Sequence, residues 1–136
     1  MFPSLDVSTS GLVAQRTRLN AISSNIANMS TTRNEYGEPV PYKPRYVTFQ
    51  TDNKLKTPGG GAGVRVASVE QSNEPPRIKY EPGHPDADAR GNVHYPAVDM
   101  TTEFVDALEA TRAYEANVGV IEISKAMTDQ SLRIIA

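Results

Sequence analysis

Cysteine is absent from the 136 residues, which excludes disulfides, thiolate metal sites and a cysteine nucleophile. Tryptophan is absent too, aromatic residues make up 7%, and hydrophobic residues 38%. That is lean for a self-contained globule, because a short chain already buries a smaller share of its surface than a long one. Neither sign of charge dominates: the formal net charge is −2, so there is no basic field for nucleic acid or anionic lipid. No apolar run approaches the roughly 18 residues needed to span a membrane. Met1-Phe2-Pro3-Ser4-Leu5-Asp6 has no basic stretch leading into an apolar one, so no cleaved signal peptide is expected.

Proline and glycine are scarce at both ends and concentrated between them. Nine of ten prolines lie between Pro39 and Pro96, and seven of nine glycines between Gly37 and Gly91. This predicts a mainly α chain with a small β-rich insert: helix over residues 1–30, lobe over 31–98, helix over 99–136. The first helix is expected over about residues 5–28. There Leu5, Leu12, Leu19 and Ile26 recur every seven residues, flanked by Val13, Ile22 and Met29. Such a narrow stripe resembles a coiled-coil seam and needs a partner helix. Gly11 costs about 1 kcal/mol against Ala inside a helix, so the first turns are expected to fray or bend.

Asp99 is a natural N-cap for the second helix, with Glu103 in its first turn, where the helix dipole favours an anion. Phe104, Leu108, Thr111, Val118, Leu132 and Ile135 follow helical spacing, with Ala107, Tyr114 and Ile121 alongside and Ile123, Met127 and Ile134 on another side. At 1.5 Å per residue this helix runs roughly 50 Å, far beyond the ordinary helix of about 11–12 residues. In the insert, residues 46–49, 64–69 and, more weakly, 77–80 read as strands, and the Gly-rich stretch from Lys54 to Gly63 as a flexible loop.

Candidate chemistry is thin. The Gly59–Gly63 run lacks the Lys-Ser/Thr and following helix of a phosphate loop. His84, Asp86, Asp88 and His94 stand among Pro82, Pro85 and Gly91 and read as turn-shaping residues rather than metal ligands. No nucleophile–base–orienter set and no cofactor motif is evident. More telling are polar residues on the helices. Asn117 is a poor mid-helix residue that either fixes register by bonding across a helix interface or merely faces solvent. Asn25 and Asn28 pose the same choice, with C-capping as the competitor.

Residues 25–33, with Ala27-Asn28-Met29-Ser30-Thr31 inside them, resemble the A-N-x-x-T signature of flagellar rod, hook and filament-joining proteins. Arg112-Ala113-Tyr114-Glu115-Ala116-Asn117 resembles the R-x-Y-x-A-N signature of their C-terminal helix. Residues 82–89 and 91–96, and the Thr31-Thr32-Arg33 ending, are similar to proximal-rod members of that family, with Asn92 and Ala97 as departures. The resemblance implies a non-enzymatic structural subunit of the proximal rod in the flagellar basal body, crossing the periplasm and exported by the flagellar type III apparatus. It implies terminal helices that pair as a coiled-coil-like hairpin, assemble into a helical tube, carry torque and wall part of the export channel. Its expected partners are other copies of itself, other rod proteins, the export-gate adaptor at the rod base and the surrounding rings. The expected subunit interface comprises Leu5, Leu12, Leu19, Ile22, Asn25, Ile26, Asn28, Thr31, Phe104, Leu108, Tyr114, Asn117, Val118, Ile121, Leu132 and Ile135. The rival reading is a two-helix adaptor or chaperone-like module of a secretion system.

Overall fold

The computed structural model describes residues 3–136; Met1 and Phe2, with which the first expected segment begins, lie outside them. Two helices, α1 (Pro3–Ala27) and α2 (Met100–Ile135), flank four strands. The helices run antiparallel: Gly11 faces Asn117, Arg18 faces Asp106 and Glu109, and Asn25 faces Glu103. A step forward along α1 is thus matched by a step back along α2. Proline suits the first turn of α1, where its missing N–H would have no helical acceptor. Asp99 caps α2 as expected, its carboxylate accepting from the Thr102 N–H at 2.8 Å. That contact also holds the Asp99 carboxyl below the usual range.

The strands form two antiparallel pairs. β1 (Arg45–Lys56) pairs with β2 (Ala62–Gln71), and β3 (Arg77–Tyr80) pairs with β4 (Asn92–Tyr95). The first hairpin lies along α1, from Arg45 beside Asn25 to Val64, whose N–H donates to Ser10 Oγ at 3.0 Å. Its register slips after Thr48, where Phe49 pairs with Val66 and Ala67 is left over as a bulge.

Three expectations are corrected. Residues 54–63 are not a flexible loop: the strands run on to Lys56 and resume at Ala62. The Thr57 side chain clasps the intervening turn, accepting from the Gly61 N–H at 2.8 Å, and Gly60 takes the positive φ of 86° that the turn requires. A fourth strand, β4, completes β3. Gly11 neither frays nor bends α1, which is continuous from Pro3; it is buried against the Asn117 side chain of α2.

Packing inside the chain is modest. Val93, Pro96 and Val98 are the largest fully buried side chains, in the lobe below α2, while Ala14, Ile22 and Ala110 are buried along the helices. Small residues dominate the α1 face that packs inward: Ser8, Gly11 and Ala14, then Ile22 and Asn25. Small side chains let helices and hairpin close together but remove little apolar area from water.

Candidate assembly interface

The heptad stripe is not the seam between the two helices. At 100° per residue, Leu5, Leu12, Leu19 and Ile26 lie roughly a quarter-turn away from the Gly11, Arg18, Ile22 and Asn25 face that meets α2. All four stripe residues remain half-exposed. α2 is barer still: Ala110 is its one buried residue. Phe104 and Leu108 are exposed on its outer flank, Val118 and Ile121 are half-covered, and Tyr114 is 36% exposed. Leu132 is 59% exposed and Ile135 82%.

Two expected interface residues instead face inward. Ile22 is buried against the other elements, and Asn25 is 3% exposed. The Asn25 carboxamide uses its full bonding capacity. Its Nδ2 donates to the Arg45 carbonyl at 2.7 Å and to Glu103 Oε1 at 3.1 Å. Its Oδ1 accepts from the Arg45 N–H at 2.8 Å and the Tyr42 hydroxyl at 3.2 Å. One side chain therefore ties α1, β1, the preceding linker and α2 together. Burial pushes the Glu103 carboxyl above its ordinary range, opposed by the Asn25 hydrogen bond, and raises the Tyr42 hydroxyl.

Asn28 and Thr31 finish the helix. Asn28 Nδ2 donates to the Ser24 carbonyl, and the Thr31 hydroxyl donates to Asn28 Oδ1. Asn117, a candidate for bonding across a helix interface, uses its Nδ2 within the chain to donate to the Ala113 carbonyl of its own helix at 2.8 Å. It meets α1 sterically, seated in the gap left by Gly11, where a Cβ would lie 2.9 Å from the carboxamide. The helix register is set by shape at that point. Arg18, between Asp106 and Glu109, adds a charged clasp. Gln15 Oε1 is buried without a hydrogen-bond partner among the described residues.

The turn-shaping reading of residues 84–94 finds specific contacts. Asp86 accepts from the Thr32 hydroxyl at 2.7 Å and from Arg33 Nε at 2.6 Å, so the segment after α1 is latched to the lobe. The Thr32 hydrogen bond, with Arg33, holds the Asp86 carboxyl below its usual range. Asp88 Oδ1 accepts from the Arg90 and Asn92 N–H groups. Among the described residues, no cluster could hold a metal and no helix is long and apolar enough to cross a membrane.

The helix pair leaves apolar side chains open on both α1 and α2, and comparison with known proteins shows what kind of chain this is. Residues 5–33 match the family described as flagella basal body rod protein, and residues 89–134 the one described as flagellar basal body rod FlgEFG protein C-terminal. The chain is 40% identical to the flagellar basal-body rod protein FlgC of Borreliella burgdorferi, over 99% of this chain and 97% of the relative. This chain belongs to the flagellar basal-body rod protein family. Bacillus subtilis has a rod protein FlgC 39% identical over 98% of this chain and 97% of its own, and Salmonella typhimurium one 41% identical over 95% and 93%. The two rod-family matches cover nearly all of α1 and α2, the elements that carry most of the exposed large apolar side chains.

Proposed function

We propose that this chain is a structural subunit of the proximal rod of the flagellar basal body, without catalytic activity. Its terminal segments, residues 1–30 and 99–136, build the core of a helical tube by coiled-coil-like contacts of their helices with neighbouring subunits, and residues 31–98 form an outer lobe. The tube transmits torque, crosses the periplasm and walls part of the export channel. Its neighbours are other copies, other rod proteins, the adaptor at the rod base and the surrounding rings. The observation that carries this reading is the half-exposed stripe of Leu5, Leu12, Leu19 and Ile26 beside the exposed Phe104, Leu108 and Leu132.

The energetics explain why such a chain would complete its fold only in the assembly. Fully burying one Leu or Ile side chain stabilises by about 1.5–3 kcal/mol, whereas ordering backbone costs about 1–2 kcal/mol per residue. A helix end with one apolar residue in three cannot order itself against a single neighbour. Several surfaces buried at once reverse the balance, which couples folding to incorporation and leaves the chain loose enough for export. Head-to-tail contacts that do not close on themselves then give an open helical array.

Purification of hook–basal bodies from cells carrying a tagged chain tests the proposal. The tag is expected in the rod fraction, and deletion of the gene is expected to abolish motility. A chain that stays in the cytoplasm, as a secretion adaptor would, contradicts it.

A further inference from the structure

We propose that the free edge of β3 receives a short extended strand from a partner protein, one in which acidic side chains alternate with apolar ones. The inference goes beyond the rod-subunit reading and does not rest on it. Among the described residues β3 pairs with β4 alone, so one side of its backbone has no strand beside it. The bonding pattern fixes which groups lie there. The Glu81 N–H donates to the Gly91 carbonyl at 2.9 Å, and bonded pairs alternate along an antiparallel ladder. Lys79 opposite Val93 and Arg77 opposite Tyr95 are therefore the pairs that bond to β4. The N–H and C=O groups of Ile78 and Tyr80 point away from it. Asn92, opposite Tyr80, agrees. Its carbonyl accepts from the Asp88 N–H and its N–H donates to Asp88 Oδ1, both at 2.9 Å and both away from β3.

The edge is open. All 4 residues of β3 are exposed, Ile78 at 64% and Tyr80 at 69%. Arg77, Ile78 and Lys79 together line one groove, with Met29 and Ser30 after α1 and with Tyr95. Successive side chains of a strand point to opposite faces, so a groove reached by all three opens along the strand's edge. The outward groups of Ile78 and Tyr80 repeat at the two-residue spacing of a strand, about 6.6 Å, and an extended backbone laid alongside supplies donors and acceptors at that spacing. Side chains set the rest of the pattern. Ile78 and Tyr80 share one face and gain from apolar neighbours. Arg77 and Lys79 share the other, and β3 itself carries no acid. Lys79 is 68% exposed in its pair with Glu81, and an exposed pair contributes little, so an incoming carboxylate can share the ammonium. Two copies of β3 pairing antiparallel about Lys79 would set Lys79 against its own copy, and like charges directly opposite destabilise. The occupant is therefore a different strand, with acids at those positions. Pro76 and Pro82 bound the edge and hold the occupant to about the length of β3.

A short fluorescein-labelled peptide of alternating glutamate and valine tests the edge on the purified full-length chain. Fluorescence anisotropy should show saturable binding at concentrations up to about 1 mM. Ile78→Pro removes an outward N–H while leaving the bonds to β4 in place, and should weaken binding about tenfold. The same peptide N-methylated along its backbone should fail to bind the unaltered chain, a comparison that needs no variant. Exchanging its glutamates for lysines should weaken binding too. No saturable binding, or equal binding by the N-methylated peptide, overturns the proposal. So does full binding by an Ile78→Pro chain whose circular dichroism is unchanged. In intact cells, a photo-crosslinking amino acid at Tyr80 should join an extended segment with this alternation; cross-links to helical segments alone, or none, would overturn it as well.

Discussion

Replacing Asn25 should unfasten the joint between the two helices and the first hairpin. Asn25→Ala deletes four hydrogen bonds at 2.7–3.2 Å from a side chain 3% exposed. A neutral intramolecular hydrogen bond contributes about 0.5–1.5 kcal/mol net, and one to a charged group about 1.5–3. Three neutral bonds and one to Glu103 therefore sum to roughly 3–7 kcal/mol; water reaching the vacated site offsets part of this, so about 3–4 kcal/mol is expected. Asn25→Asp keeps the shape but replaces a donor by an acceptor facing the Glu103 carboxylate and the Arg45 carbonyl, and should destabilise at least as much. Urea denaturation followed by circular dichroism at 222 nm measures both, with the exposed Ser23→Ala as a control. A loss below about 1 kcal/mol for Asn25→Ala would refute the claim that this side chain fastens the elements.

Three further outcomes are expected. Gly11→Val should lower stability by about 1–3 kcal/mol through overpacking on Asn117, and Asn117→Ala in the same chain should recover much of the loss, as a double-mutant cycle would read. Asp86 should titrate below its ordinary value of 3.8. Because its folded value is depressed, the stability it contributes is present above that ordinary value and lost as pH falls through the folded one. An NMR titration should place the Asp86 transition in that low window, and Thr32→Val should move it upward. Leu12→Asp and Leu19→Asp should each block swimming while leaving the protein detectable by immunoblot; normal swimming by both would reject the heptad stripe as an assembly surface.

The two helices were legible because proline and glycine vacate both ends and apolar residues recur at helical spacing there. Asp99 was legible as a cap from chemistry alone. The strands were only partly so. Residues 50–56, Gln-Thr-Asp-Asn-Lys-Leu-Lys, carry no alternating apolar pattern, and become strand because β2 pairs with them. β4 hid in a turn-rich stretch: four residues with one deeply buried side chain, Val93, give little periodicity. The seam between the helices was harder. Periodicity favours the large residues of the heptad stripe, whereas the contact with Asn117 of α2 is made at Gly11, whose merit is what it lacks. A glycine costs stability in an isolated helix, and only the Asn117 side chain opposite explains why it sits at position 11. The Asn25 joint needed the third dimension for the same reason: its partners, Tyr42, Arg45 and Glu103, lie 17, 20 and 78 residues away.

The central claim is that the open apolar sides of α1 and α2 are completed by other subunits. Hydrogen exchange read by mass spectrometry, on the purified chain and on the same chain within isolated basal bodies, addresses it directly. The amides of residues 128–135 should exchange freely in the purified chain and be strongly protected in the rod. Equal protection in both states would mean that the chain covers these surfaces by itself, and would contradict the account.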